Sequence, residues 1–269
     1  LPAPATENVP AATQPVETAT SSPVKNDAGE AVLLFTIGMH IEPMGETAQG
    51  YGGGKGDYHR QDFFDKHAQD ILTVTQIVES HGGRMTIQAQ SPFTEVAIES
   101  GNTILADLAA RGHEIALHFH EDAHLGQNSE SLPAQTWCDV MKEEIALVTQ
   151  ASGVSDIRYW SGGNLYPDVF EAAACARLDV NSDWKNPKTQ STDLTLDGVH
   201  PWRPAGGTNG ADFSLIVQHD PNGAVIFLPK GQFDEVNTTS MRRTGDAASD
   251  AAADTAYFEY LERQLYISL

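Results

Sequence analysis

Between residues 31 and 182, short apolar runs alternate with amphipathic stretches, and polar residues cluster where the runs end. The short runs fit strands, whereas apolar residues at three- and four-residue spacings fit helices packed along one face. Strands and helices alternating at this rhythm predict a parallel sheet or barrel, an α/β fold. Strands are expected at residues 31–37 (bounded by Gly38), 84–90, 114–120, 156–160 and 178–182. One expected helix carries Phe64, Ala68, Ile71, Thr75 and Val78 inward and stops at His81-Gly82-Gly83; others span 95–111, 133–150 and 167–177. In such folds chemistry gathers where strands end and loops begin. His40 and Glu42, His118 to His124, Ser161 to Asn164, and Asp183-Trp184 all stand there.

After Trp184 the rhythm breaks. Residues 214–219 and 224–228, joined by Asp220-Pro-Asn-Gly223, read as a β-hairpin. A last helix over residues 250–266 would place Tyr257, Leu261 and Leu265 on one face. A barrel ending on a helix lacks a closing strand, so the natural chain is expected to continue past Leu269. Residues 1–30 are rich in Ala, Pro, Thr, Val, Ser and Asn without apolar periodicity, and read as a disordered tail before a domain spanning 31–269. Such tails follow a cleaved signal peptide or a lipid-anchored cysteine, which makes a secreted, periplasmic or cell-surface location the expectation. Cys138 and Cys175 fit either two buried thiols or one disulfide.

A formal charge of −21 opposes binding to nucleic acid and anionic lipid. No apolar run approaches the roughly 18–20 residues of a membrane-crossing helix, so no span is expected.

Four of the ten histidines lie between His113 and His124. His118 and His120 are two apart and share a side of an extended chain. His124 would fold back in the following loop. Imidazoles that converge on one point bind zinc and other first-row metals, and Glu121 and Asp122 add oxygen ligands or orienting partners. The bland alternative is solvated loop histidines. His40 and Glu42 share a face by the same spacing; one would complete the metal shell while the other takes a proton from water. Arg158 is suited to orienting a carboxylate, and Tyr159 and Trp160 to stacking on a sugar, although a surface arginine and core aromatics fit the spacing as well. Asp183 would steady a catalytic imidazolium, and Trp184 would wall a subsite.

In this order the motifs resemble those of the NodB-like polysaccharide deacetylases. The resemblance spans roughly residues 32–184. Gly-His-Glu-Ile-Ala-Leu-His118 is similar to the family's metal motif, with His118 in the place of its first metal histidine. Where the family has its second histidine this chain has Asp122, with His120 and His124 on either side. Arg158 to Gly162 matches the family's arginine-to-glycine spacing without its prolines, and Asp183-Trp184 matches its Asp-Trp motif. His40 and Glu42 replace the family's adjacent aspartates, so base and ligand are not told apart. The family's late histidine acid has no clear counterpart; His200 and His219 exist, and His219, before a turn, reads as structural.

The resemblance implies a distorted (β/α)7 barrel lacking its last strand. It also implies a divalent metal, with zinc the expected ion, held by His118, His120, His124 and Glu42. Catalysis would fall to His40, Glu42, Arg158 and Asp183, and substrate binding to Tyr159, Trp160 and Trp184. The implied reaction is hydrolytic removal of acetyl groups from an N- or O-acetylated polysaccharide or oligosaccharide. The alternatives are an inactive glycan-binding barrel, another metal-dependent amidohydrolase, and a metal-capturing surface lipoprotein.

Overall fold

The computed structural model describes residues 36–42, 58, 60–162, 165–166, 168–182, 201–205, 216, 218–228 and 245–268. Six strands form one parallel sheet: β1 (Gly38–His40), β2 (Thr86–Ala89), β3 (Glu114–His118), β4 (Tyr159–Ser161), β5 (Val180–Asn181) and β6 (Ile226–Phe227). Each strand pairs with the next in sequence, and the order never reverses. A doubly wound sheet reverses at a switch point, so this is the winding of a distorted barrel. The helices are α1 (Gln61–Ser80), α2 (Phe93–Ser100), α3 (Ile104–Ala110), α4 (Glu121–His124), α5 (Ala134–Ser152), α6 (Val169–Ala176) and α7 (Ala247–Ser268). None of the described helices is long and apolar enough to cross a membrane.

Register sorts the strand side chains into two faces, because paired residues in neighbouring parallel strands point the same way. Met39, Ile87, Ala89, Ile115, Leu117 and Trp160 lie on one face. They pack with Phe64 and Ile71 of α1 and Trp137 and Met141 of α5 in the hydrophobic core. The other face carries Gly38, His40, Thr86, Gln88, Glu114, Ala116, His118, Tyr159 and Ser161. Strands of a parallel sheet covered on both faces read as continuous apolar runs. Here β2 reads Thr-Ile-Gln-Ala, and the polar half of that alternation supplies the site.

Several expectations are corrected. The first strand lies at Gly38–His40, so Gly38 belongs to it rather than ending it; residues 31–35 of the expected strand lie outside the described residues. The helix expected over 95–111 is two helices, because Gly101 adopts a left-handed φ of 68° and ends α2. Among the described residues no hairpin pairing is seen: Phe227 extends the sheet in parallel beside Asn181 and bridges Trp202 on its other side, while residues 214, 215 and 217 of the expected hairpin lie outside the described residues. Phe227 is thus paired on both sides, and His219 bridges Pro204. On α7, Tyr257 and Phe258 are exposed and Ala253 is buried, so Tyr257 does not point inward as expected; the side chains of Leu261 and Leu265 lie outside the described residues. Cys138 and Cys175 form a disulfide between α5 and α6, which settles the alternative left by spacing.

Candidate metal centre

The centre forms where β1 and β3 end on either side of β2. His40 closes β1, and Glu42 keeps its side because the backbone stays extended, with Ile41 N–H donating to Gln88 O at 2.9 Å. The Tyr58 hydroxyl donates to the Glu42 carbonyl at 3.0 Å and lies 2.6 Å from His67 Nδ1, pinning this segment against α1. His118 is the last residue of β3 and is fully buried.

One carboxylate oxygen organises the cluster. Glu42 Oε1 lies against His118 Nε2, 3.1 Å from His120 Nε2 and 3.8 Å from His40 Nδ1. The His40 and His118 rings stack with centroids 4.2 Å apart. Among the described residues, His40, Glu42 and His118 are the one group of three whose candidate ligand atoms all lie within 4.8 Å of one another.

The other side of His118 is fixed by a buried chain of hydrogen bonds. His118 Nδ1 lies 2.8 Å from Ser161 Oγ, and Ser161 Oγ donates to Gln88 Oε1. Gln88 Nε2 donates to the Tyr159 hydroxyl at 3.2 Å, which donates to Ser182 Oγ. Gln88 sits on β2 and reaches β4 across β3 because the intervening residue on that face is Ala116. On its other side stands Gly38, where a Cβ would come within 2.8 Å of Gln88 Nε2.

These directions decide the tautomer. Ser161 has one proton and gives it to Gln88, so its oxygen accepts from His118 Nδ1–H. A neutral His118 then presents a bare lone pair on Nε2 to Glu42.

Electrostatics make the same point. Burial, reinforced by His40 and His120 and only partly opposed by Glu42, holds His118 down to about 4, so it is neutral at pH 7. Contacts with His118 and then His120 keep the Glu42 carboxyl well below the usual carboxylate range. A lone pair facing an anionic oxygen would be relieved by a cation between them, and burial disfavours a proton there. Two imidazoles and a carboxylate fit a divalent first-row metal, and a histidine whose second nitrogen is already held by a partner is the usual form of such a ligand.

The expected site residues divide. His40, Glu42 and His118 come together. His120 reaches Glu42 but not the group of three. Burial works against its charge, but Glu42, with Asp122 and Glu121 adding, leaves its pKa raised. His124 is corrected: α4 turns it under the sheet, where its ring stacks on Phe119 at 4.6 Å and Nε2 faces Glu144 at 3.6 Å. Glu144 in turn accepts from Ser91 N–H at 3.0 Å and Ser91 Oγ at 2.7 Å, so His124 belongs to a separate buried cluster with Phe119 and Glu144. Arg158 is also corrected. It precedes β4, at the end of that strand away from Ser161, and pairs with Asp179.

Tyr159 faces the centre's side of the sheet but is buried in the hydrogen-bond chain, and Trp160 points into the core with 2% exposure. Neither offers a sugar a platform. Asp183 and Trp184 lie outside the described residues. Sequence reading missed Gln88, and named Ser161 and Gly162 only as part of a strand-end motif. Gly162 has φ 89°, and a Cβ there would stand 2.7 Å from His118 Cε1. The available signal was a glutamine at an alternating position inside an apolar strand.

No protein-family model matches the chain, and neither does any curated protein. Among solved structures, the chain is similar to the crystal structure of a Mycobacterium smegmatis protein proposed to be a polysaccharide deacetylase. The two share 13% identity with a TM-score of 0.47, over 85% of this chain and 72% of that one.

Proposed function

We propose that the chain is an exported, metal-dependent hydrolase that removes acetyl groups from an N- or O-acetylated glycan, acting on a carbon–nitrogen bond where the group is an amide. One observation carries the hydrolase reading: the Glu42 carboxylate is shared by imidazoles arriving from two different strand ends, at the edge of a sheet face where α/β folds do their chemistry. The glycan rests on the motif resemblance around His118 and Ser161-Gly162. Export is supported by the Cys138–Cys175 disulfide together with the composition of residues 1–30.

His40, Glu42 and His118 would hold the metal. A divalent cation there supplies Lewis acidity toward an acetyl carbonyl and brings the pKa of water toward roughly 7. The protein's own groups do the rest. His118 is held by Ser161 at Nδ1, which would leave its Nε2 lone pair for the cation. Glu42 contributes the negative charge that would retain a cation between His40 and His118. His120, partly exposed beside Glu42 and with a raised pKa, is placed to take the proton that the attacking water loses and to pass it to the departing amine or alcohol.

The test is acetate release from an acetylated chitooligosaccharide by zinc-loaded protein, repeated after chelation. Release that chelator abolishes and zinc restores is expected. Glycan binding without release, by protein that holds its metal, would overturn the hydrolase reading in favour of an inactive binding barrel.

A further inference from the structure

We infer that Gln88 is a positioning residue that sets the tautomer of His118 through Ser161, and so sets the metal affinity of a site it does not touch. The inference rests on the metal-centre reading above. It starts from direction rather than proximity. A serine hydroxyl between two acceptors gives its proton to only one of them. Gln88 Oε1 takes that proton, which leaves Ser161 Oγ to accept from His118 Nδ1–H and leaves Nε2 bare for the cation. The amide cannot readily reverse these roles, because its Nε2 is engaged with the Tyr159 hydroxyl, itself committed to Ser182. Gln88 is 1% exposed and Ser161 0%, so water does not replace either partner. Without the amide, the Ser161 hydroxyl is released and can donate to His118 Nδ1. The ring then carries its proton on Nε2, the position the metal needs.

The local sequence makes room for this device. Gly38 on β1 and Ala116 on β3 are the small residues on either side of Gln88, and together they let a side chain on β2 reach β4.

The experiment measures zinc dissociation constants by chelator competition for full-chain wild type, Gln88→Met, Gln88→Glu, Ser161→Ala and the Gln88→Met/Ser161→Ala double variant. Circular dichroism checks that each is folded. Loss of an outer partner to a ligating histidine costs roughly 10–100-fold in affinity, and that is the expected effect of Gln88→Met and of Ser161→Ala. The double variant should be no weaker than the weaker single, since both break one chain. Gln88→Glu should stay nearer wild-type affinity than Gln88→Met, because a carboxylate still accepts from Ser161, with the Tyr159 hydroxyl turning its proton from Ser182 to the second oxygen. A packing role alone predicts the reverse order, with the similarly shaped Met tolerated and a buried acid not. If Gln88→Glu fails to fold, the double-variant comparison decides. Wild-type affinity in Gln88→Met, or losses that multiply in the double variant, would overturn this inference while leaving the centre standing. A wild-type chain that binds no zinc would overturn the centre and the inference together.

Discussion

Gly162→Ala adds one methyl group behind the buried histidine, and the structure fixes what that group meets. The Cβ would lie 2.7 Å from His118 Cε1, 3.1 Å from His118 Nδ1 and 3.0 Å from the Phe119 carbonyl oxygen. The residue also has φ 89°, in the left-handed region. An L side chain in that region costs about 1–2 kcal/mol. Overpacking a filled interior costs about 1–3 kcal/mol more. The contact with Phe119 is to backbone, so the ring of His118 is what must move. The expected loss of unfolding free energy for metal-free protein is therefore about 2–5 kcal/mol. Displacing a ligating ring by a few tenths of an ångström should also weaken zinc binding on the order of 10–100-fold.

Denaturant unfolding and chelator competition measure the two effects. Gly153→Ala is the control, because it has φ 74° but nothing within 4 Å of its Cβ. It should cost only the backbone strain, about 1–2 kcal/mol, and leave zinc affinity unchanged. If Gly162→Ala behaves like Gly153→Ala in both assays, His118 is not seated against residue 162 and the reasoning fails.

Three other outcomes are expected. Arg158→Ala should leave acetate release and zinc affinity at wild-type values, because Arg158 pairs with Asp179 at the far end of β4; loss of activity in a folded variant would return it to the site. The Glu79 carboxyl is held from its ordinary 4.5 down to about 2 by Arg111 and then His113, so its contribution to stability is fully present above pH 4.5 and lost as pH falls through about 2. The stability gap between wild type and Glu79→Gln, followed by denaturant titration, should therefore shrink across that window; a gap that widens on acidification would contradict the pairing. Removing the disulfide by Cys138→Ala/Cys175→Ala opens a loop of sequence separation 37 and should lower unfolding free energy by about 4 kcal/mol, read against denaturant.

The alternating rhythm made the parallel α/β fold legible, because α1 and α5 bury residues at helical spacings and β2 and β3 stand on register-compatible runs. What stayed hidden depended on contacts distant in sequence. Ala97, Ile104 and Leu108 keep a helical spacing across Gly101, so the break between α2 and α3 left no mark in periodicity. Asp220-Pro-Asn-Gly223 carries a strong local turn signal, but the partner of Phe227 is Asn181, far upstream in the chain. His40, Glu42 and His118 were legible because they gather at strand ends, with His40 and Glu42 two apart. His124 was not, since a single helical turn reversed its direction. The support from Gln88 and Ser161 required knowing that β2 and β4 flank β3 with only Ala116 between them.

The central claim is a cation held among His40, Glu42 and His118. A crystal soaked in zinc, with anomalous data collected on both sides of the zinc edge, tests it directly. The account predicts one strong peak roughly 2.0–2.2 Å from His40 Nδ1, Glu42 Oε1 and His118 Nε2, absent from a folded His118→Ala variant. A peak elsewhere, or the same peak in the variant, would contradict it.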